Sequence, residues 1–309
     1  MYDLIIVGGG PAGLTAAVYA IRKRLNVLLL TKDLGGQTNY HLSLPWMEDY
    51  QTIRGLEIVK KFQNELEYLD FARRIDTCEK ITAKAGHFLV ETRDGVTLEA
   101  KAVIIATGAH QVRLNIPGEK EFTTKGLCYS ALSYAPAFID KTAVVIGDNE
   151  LALRSAAELA TVARRVYLIC TGKQIMDSDL WVKLQTAMNV TIVAGREVVK
   201  ILGDQFARTV VTRDESGNLA EYNADGIFVE KALIPQTNMV KGLVELDDRG
   251  RIIVDGTTAT NVPGLFAAGD VTNGFAEQVL IAVGEGAKAA LRAYEYLLPM
   301  LQFLVGEAG

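Results

Sequence analysis

Three glycines near the start of the chain have the spacing of a dinucleotide-binding turn. Gly8, Gly10 and Gly13 form a Gly-x-Gly-x-x-Gly motif between the apolar run Leu4–Val7 and a predicted helix at Leu14–Arg24. Gly8 permits a tight turn, Gly10 lets the backbone approach a pyrophosphate, and Gly13 lets the helix pack against the strand. The motif therefore predicts phosphate binding at the N-terminus of the helix.

The residues after the second buried strand, Val27–Leu30, are the expected partners of a ribose. An acidic side chain at this point usually holds the ribose hydroxyls, but here Thr31-Lys32-Asp33 follows the strand. The sequence leaves two alternatives: Asp33 reaches the ribose, or Thr31 substitutes for the acid.

Strand and helix signals occur in two series along the chain. The first series adds a helix with apolar residues Leu56, Val59, Phe62 and Leu66, a hairpin and the buried run Val103–Ala106. The hairpin pairs two alternating segments, His87–Arg93 and Thr97–Lys101, around Asp94-Gly95.

The pattern restarts at about Val112. The apolar run Val144–Gly147 precedes a predicted helix at Leu151–Val162, and a last helix is predicted at about Gln278–Leu297. This order predicts a doubly wound α/β fold: two Rossmann-like three-layer nucleotide-binding domains, the second inserted into the first. The predicted boundaries are 1–111 with 241–309 for the first domain and 112–240 for the second.

The composition excludes several classes of protein. The 309 residues carry 37 acidic and 32 basic side chains, a net charge of −5, whereas nucleic-acid-binding proteins usually carry a basic face. No run of about 20 apolar residues occurs, and the chain opens on a strand signal rather than a secretory leader. Cys78, Cys128 and Cys170 lie too far apart for a metal site or a disulfide framework. We therefore expect a cytoplasmic protein that binds no metal, nucleic acid or membrane.

Further short motifs complete a recognisable set. Together with the glycine turn, Gly35-Gly36-Gln37, Ala106-Thr107-Gly108, Gly269-Asp270 and Gly284-Glu285-Gly286 resemble the low-molecular-weight thioredoxin reductase family, nearly from end to end. The resemblance implies one bound FAD and a homodimer. It places the first glycine triplet on the FAD pyrophosphate.

The resemblance also implies a role for individual side chains. Gln37 and Gln278 would border the isoalloxazine ring, Asp270 would contact the ribityl–pyrophosphate region, and Thr107 would lie where the chain crosses between domains. The expected FAD-binding residues are Gly8, Gly10, Pro11, Ala12, Gly13, Thr31, Lys32, Asp33, Gly35, Gly36, Gln37, Ala106, Thr107, Gly108, Gly269, Asp270, Gln278 and Val279.

The chain departs from the family where the redox dithiol should be. Serines, Ser130 and Ser133, occupy both positions of the expected Cys-x-x-Cys pair. Because a hydroxyl forms neither a thiolate nor a disulfide, dithiol exchange through this motif is impossible. We expect the two serines to cap the helix that follows in the family, or to bond the flavin. Cys128, two positions upstream, is a third candidate near the ring, although packing is its more usual role.

The second nucleotide motif is altered as well. Ile146 to Leu151 keeps only the middle glycine of the family pattern, and Asp148 and Glu150 add negative charge where a phosphate would lie. Only Lys173 remains where the family has a basic cluster for the NADPH 2′-phosphate. NADPH binding in the usual manner is therefore not expected, and the second site is left open between a second FAD and NAD(P)H.

Three functions remain open. The first is a flavin oxidoreductase that exchanges electrons with another carrier, such as a small iron–sulfur protein, or with a second FAD. The second is a ferredoxin/flavodoxin–NAD(P) reductase-like enzyme, because relatives without the cysteine pair have that activity. The third is a non-catalytic FAD-binding sensor. The apolar C-terminal run, Tyr294–Val305, is expected to dock on the body of the protein or at a dimer interface, or else to cover the flavin.

Overall fold

The computed structural model describes residues 1–40, 42–46, 55–68, 72–131, 133–171 and 178–301. The described residues form seventeen strands and six α-helices, joined by turns and short 3₁₀ segments. The strands are β1 Tyr2–Val7, β2 Val27–Thr31, β3 Arg73–Ile75, β4 Cys78–Lys84, β5 His87–Thr92, β6 Thr97–Ile105, β7 Ala109–Gln111, β8 Leu127–Cys128, β9 Thr142–Ile146, β10 Arg165–Cys170, β11 Val190–Ala194, β12 Arg196–Gly203, β13 Ala207–Asp214, β14 Leu219–Asn223, β15 Gly226–Val229, β16 Leu233–Pro235 and β17 Leu265–Ala267. The helices are α1 Pro11–Arg22, α2 Gly55–Tyr68, α3 Glu119–Phe122, α4 Glu150–Ala160, α5 Asp179–Thr186 and α6 Val279–Leu297.

The chain divides into two compact units. Unit 1 comprises Met1–Asn39, Ile53–His110 and Ile234–Gly309, and unit 2 comprises Tyr40–Thr52 and Gln111–Leu233. The sequence predicts an inserted domain at 112–240, whereas unit 2 also takes in the described residues of Tyr40–Thr52. The physical reason is apolar burial, because Leu42 and Leu44 belong to the same buried core as Phe138.

Unit 1 is built on a sheet with the strand order β3-β2-β1-β6-β5-β4. Strands β2, β1 and β6 are parallel, and β17 runs parallel to the C-terminal half of β6. Leu4 and Ile6 of β1 point into a core shared with helices α1 and α6, whereas Ile5 and Val7 point into the core on the other face. The sheet is therefore covered on both faces, which explains its continuous apolar strands.

Strand β6 joins two segments that the sequence patterns separate. Its N-terminal half pairs with β5 in an antiparallel hairpin and alternates in burial, whereas its C-terminal half is buried throughout. The hairpin prediction is confirmed, but the predicted break between Lys101 and Val103 is wrong. One strand crosses from a half-exposed environment into the centre of a parallel sheet.

Unit 2 is built on a parallel sheet with the order β11-β10-β9-β15-β8. Val145 of β9 packs into a core with residues of α4 and α5, and Val144 packs on the opposite face against residues of β12 and β13. Strands β12, β13 and β14 form a separate antiparallel sheet. Each unit thus contains a sheet whose central strands are parallel and which lies between two layers.

The described part of the C-terminal run packs on unit 1. Leu297 is buried in the core of α1 and α6, Tyr294 and Leu301 pack against that core, and the ring of Tyr296 contacts Phe266 edge-on at 6.1 Å. Residues 302–309 of the run lie outside the described residues. None of the helices in the described ranges is long and apolar enough to cross a membrane.

Candidate functional site

The predicted site residues of unit 1 gather at one edge of its sheet. Strands β1, β2, β6 and β17 run in the same direction, so the segments that follow them meet at their carboxyl ends. Ligands of open α/β sheets bind at this edge. The structure brings together here Gly8–Gly13, Thr31–Gln37, Ala106–Gly108 and Gly269-Asp270.

The glycine turn has close packing at one position and open space at another. A β-carbon on Gly13 would lie 1.8 Å from the carbonyl oxygen of Gly8, so only glycine lets α1 approach the strand. A β-carbon on Gly10 would meet nothing within 4 Å. Helix α1 begins at Pro11 with Gly10 as its N-cap, and its first turn is uncharged. The positive end of this helix therefore faces space that an anion can enter.

The residues after β2 are occupied in a local turn. The Thr31 hydroxyl is buried and donates to the Asp33 carbonyl oxygen at 2.6 Å. Asp33 Oδ1 accepts from the Gly36 amide at 3.0 Å, and Lys32 is exposed. Both ribose candidates therefore help to shape the loop that carries Gly35-Gly36-Gln37. Their predicted ribose contacts stay predictions.

Two side chains that the sequence predicts to contact the cofactor lie side by side. Gln37 Nε2 donates to the Ala109 carbonyl oxygen at 2.6 Å and lies 3.5 Å from Asp270 Oδ2. Burial, followed by the charges of Glu277 and Glu285, raises the pKa of Asp270 to about 6. Gln278 is the N-cap of α6, and Val279 packs against the core beneath it.

A residue outside every predicted motif fixes the Ala106–Gly108 segment. The Thr107 hydroxyl donates to the Gln236 carbonyl oxygen, and Gln236 Nε2 donates to the Thr107 carbonyl oxygen, each at 2.7 Å. The Gln236 amide also donates to the Gly108 carbonyl oxygen. Gln236 is 129 positions away from Thr107 in the chain. It belongs to no recognisable motif, so no local signal could have found it.

The equivalent edge of unit 2 carries the altered motifs. Gly147, Thr171 and Glu230 directly follow strands β9, β10 and β15, respectively. Ser130 follows β8 by two residues. Because all four strands are parallel, these residues lie along one edge of the sheet. The edge that would hold a second dinucleotide is thus lined by the residues that depart from the family pattern.

The N-terminus of α4 is capped by its own chain. Asn149 Oδ1 accepts from the Ala152 amide at 3.0 Å, while Asn149 Nδ2 donates to the carbonyl oxygens of Glu230 and Lys231. The Asp148 carboxylate accepts from the Thr171 amide and, at 2.9 Å, from its hydroxyl. Glu150, in the first turn, adds a further negative charge near the helix end. Lys173, the one expected cation, lies outside the described residues.

The Ser130 and Ser133 hydroxyls bond to each other, with 3.0 Å between their oxygens. A short 3₁₀ turn, Ala135–Phe138, follows, and its N-cap is Tyr134. The predicted capping role of the serines is therefore wrong, because the element that follows them is this 3₁₀ turn, and its N-cap position is Tyr134 rather than either serine. Cys128 is buried, and burial raises the pKa of its thiol to about 12, which opposes thiolate chemistry.

Glu230 is a second residue that no sequence motif indicates. Its side chain is 2% exposed, and its Oε1 accepts from the Ala131 amide at 2.7 Å and the Ser155 hydroxyl at 2.9 Å. Burial outweighs these hydrogen bonds and raises the pKa of Glu230 to about 7. The carboxylate thereby connects Ala131, the residue after Ser130, to Ser155 of helix α4 by hydrogen bonds. An acidic residue directly after the apolar strand Gly226–Val229 is the signal that could have found it.

Comparison with known proteins shows that the chain is similar to members of an oxidoreductase family. A family model described as pyridine nucleotide-disulphide oxidoreductase matches residues 2–286. NADH dehydrogenase of Bacillus subtilis is 34% identical over 306 residues, and the F component of alkyl hydroperoxide reductase from Staphylococcus aureus is 36% identical over 307 residues. Each alignment covers 96% of this chain but 59% of the relative. The chain thus spans less than two thirds of the length of these curated relatives.

Solved structures agree with the observed topology. Thioredoxin reductase from Streptococcus pyogenes superposes with a TM-score of 0.87 at 32% identity, covering 97% of this chain and 99% of that one. Thioredoxin reductase from Giardia duodenalis gives a TM-score of 0.86 at 29% identity, with 96% and 99% covered. The predicted thioredoxin reductase-like α/β fold is confirmed.

Proposed function

The chain belongs to the pyridine nucleotide-disulphide oxidoreductase family, and from this membership we propose that it is an FAD-dependent oxidoreductase that exchanges electrons with a separate carrier. The proposal has two parts. Unit 1 would hold FAD in the family manner, whereas unit 2 would take part neither through a dithiol nor through NADPH bound in the usual way.

The residues at the carboxyl edge of unit 1 fit an FAD molecule. The open space at Gly10 and the uncharged first turn of α1 suit a pyrophosphate, which the helix end attracts. Asp270 lines a cavity beside Gly269, where its carboxyl group can bond ribityl hydroxyls. The hydrogen bond from Gln37 Nε2 to the Ala109 carbonyl oxygen fixes the orientation of the Gln37 side chain. A fixed orientation suits a side chain that bonds the edge of the isoalloxazine ring.

When bound, FAD supplies hydride and electron transfer, and the protein supplies position and electrostatics. In the proposal, the first-turn amides of α1 hold the pyrophosphate and Asp270 orients the ribityl chain. Gln37 and Gln278 make hydrogen bonds at the ring edge. Catalytic roles for Ser130, Ser133 and Cys128 find no support in their contacts, since the serines bond each other and the thiol is buried.

The observation that carries the second part is the capped N-terminus of α4. Asn149 Oδ1 already accepts the hydrogen bond of the Ala152 amide, which a bound phosphate would otherwise accept. Asp148 and Glu150 would repel a second pyrophosphate. In unit 1 the corresponding helix end has an open approach and no charge. The same features oppose a second FAD bound in this manner. They favour a small redox protein, such as an iron–sulfur protein, as the electron partner.

A second candidate is a ferredoxin/flavodoxin–NAD(P) reductase-like enzyme that uses NADH. It is favoured by the similarity to a protein named NADH dehydrogenase. NADH also has no 2′-phosphate, so the loss of the family's basic cluster would not affect its binding. Homodimerisation and a cytoplasmic location remain part of the proposal on the family resemblance.

Anaerobic reduction of the FAD-loaded protein separates the two candidates. NADPH and then NADH would be added while the visible absorption of the flavin is followed, with dithionite as the final addition. We expect dithionite alone to bleach the flavin rapidly. Rapid bleaching by NADH would overturn the first candidate in favour of the second, and a chain that binds no FAD would overturn both.

A further inference from the structure

Glu285 connects helix α6 to the turn that carries Asp270. Its Oε2 accepts from the Gly269 amide at 2.7 Å, and Gly269 has a φ of +79°, a conformation that few other residues adopt. The Thr272 hydroxyl closes the turn by donating to the Gly269 carbonyl oxygen at 2.9 Å. The direction in which Asp270 points therefore depends on a side chain from the second turn of α6.

The same carboxylate is one of three that face a single cavity. Asp270, Glu277 and Glu285 line it together with small residues that include Gly274. The guanidinium of Arg251 contacts one of these lining residues, because its Nη1 donates to the Gly274 carbonyl oxygen at 3.3 Å. Its Nε is engaged by Asp247 at 2.8 Å, so its charge is already paired.

Asp270 also has an uncharged neighbour, the side-chain amide of Gln37, whose Nε2 lies 3.5 Å from Asp270 Oδ2. The cavity wall is thus strongly acidic, although the proposed occupant carries a negatively charged pyrophosphate.

We propose that Glu285 is a positioning residue for FAD, which fixes the Gly269–Asp270 turn and, through its charge, couples FAD binding to the uptake of a proton. The inference rests on the FAD site proposed above for unit 1. The hydrogen bond of Glu285 helps the cofactor to bind because it fixes the turn, whereas its negative charge works against the pyrophosphate. The two effects have opposite signs, so different substitutions of one residue can separate them.

The proton enters at Asp270. Its pKa is about 6 before the cofactor binds, raised by burial and by the two glutamates. A pyrophosphate nearby raises this pKa further, because a second negative charge disfavours the carboxylate. Above about pH 6 the protein must therefore take up a proton when FAD binds. Linkage then predicts that the dissociation constant for FAD rises by up to about tenfold per pH unit above that point.

Two substitutions of Glu285 should act in opposite directions. Glu285→Gln keeps an oxygen for the Gly269 amide and removes the charge, so FAD should bind at least about threefold more tightly at pH values above the proton-uptake range, where Asp270 is ionised with and without FAD. Its pH dependence should also move to lower pH. Glu285→Ala removes the hydrogen bond as well, so the turn loosens and binding should weaken by about tenfold at acidic pH.

The experiment is a titration of apoprotein with FAD, followed by quenching of flavin fluorescence at pH values on both sides of the Asp270 pKa of about 6. Glu277→Gln removes a cavity charge without touching the Gly269 turn, and it should tighten binding as Glu285→Gln does. Glu295→Gln, on the exposed far end of the same helix, should change nothing.

The proposal is overturned if Glu285→Gln weakens binding as much as Glu285→Ala, or if the charge removal leaves the pH dependence unchanged. The second criterion holds even where Glu285→Ala fails to fold. Wild-type protein that binds no FAD at any pH would instead refute the proposed function itself. The two failures are therefore distinguishable.

Discussion

The hydroxyl oxygens of Ser130 and Ser133 lie 3.0 Å apart at the carboxyl edge of the unit 2 sheet. Two sulfur atoms at these positions would need to approach to about 2.05 Å for a disulfide, a small adjustment in an exposed segment. The two side chains thus lie close enough to be joined, although their hydroxyls have no redox chemistry.

We predict that Ser130→Cys with Ser133→Cys forms a disulfide. A thiol assay under denaturing conditions should find two more thiols per chain after reduction than before. NADPH should not reduce the new disulfide, because the α4 N-terminus remains capped. Ser133→Cys alone is the control, since its thiol should be detected without reduction. Extra thiols that react before reduction in the double variant would contradict the prediction.

The glycine turn offers a matched pair of substitutions. Gly10→Ala should leave the stability of the apoprotein within about 0.5 kcal/mol, because its β-carbon meets no atom within 4 Å. It should nevertheless weaken FAD binding by at least about tenfold, since the methyl group enters the space proposed for the pyrophosphate. Gly13→Ala should lower the unfolding temperature of the apoprotein, because its β-carbon meets the Gly8 backbone. Equal FAD affinities of Gly10→Ala and wild type would place the phosphate elsewhere.

Asn149 should contribute more to stability than an ordinary helix cap. Asn149→Ala loses the cap and the hydrogen bonds to Glu230 and Lys231, so we expect a loss of about 2 kcal/mol. Ser178→Ala, which removes only the cap of α5, should cost about 1 kcal/mol. Urea unfolding followed by tryptophan fluorescence measures both, because Trp46 and Trp181 belong to unit 2. Equal losses in the two variants would show that the cross-links of Asn149 contribute nothing.

Glu230 should make unit 2 less stable as the pH rises. Its pKa is about 7 in the folded chain against an ordinary value of 4.5, so the folded state binds the proton more tightly. The resulting stabilisation is fully present below pH 4.5 and is lost as the pH rises through about 7. It amounts to something on the order of 3 kcal/mol.

Urea unfolding at several pH values tests this effect. The free energy of unfolding of wild type, relative to Glu230→Gln, should fall as the pH rises through this window. Glu150→Gln is the control, because Glu150 is exposed in an i,i+4 pair and should leave the slope unchanged. A constant difference between wild type and Glu230→Gln would contradict the prediction.

Much of the fold follows from local pattern. The buried strands β1, β2, β9 and β10 are short apolar runs, and α1, α4 and α6 lie within a few residues of their predicted positions. Strand β4, Cys78–Lys84, is absent from the sequence predictions because its pattern buries only Cys78 and Ile81 among charged residues. Its strand character depends on pairing with β5, which no local pattern encodes.

The site shows the same division. The glycine motifs can be recognised in the sequence because the backbone geometry permits only glycine at such positions, as the close contact at Gly13 shows. Gln236 and Glu230 act through partners between 75 and 129 positions distant, so only the folded chain reveals these contacts. For Glu230 the sequence offers one local signal, an acidic residue directly after an apolar strand. The capping role expected for Ser130 and Ser133 is wrong because it assumes the family's helix at a point where the chain forms a 3₁₀ turn.

The contrast between the two helix N-termini also bears on how long the protein survives in a cell. The N-terminus of helix α4 is capped by the Asn149 side chain, whereas no side chain caps the N-terminus of α1. The first amides of α1 have no partner within the helix, so an anion can bind them. A ligand that binds only the folded state adds stability in proportion to the logarithm of its concentration. Flavin supply should therefore set the degradation rate through unit 1 alone. Limited proteolysis should cut unit 1 faster when FAD is removed and leave the cleavage rate of unit 2 unchanged.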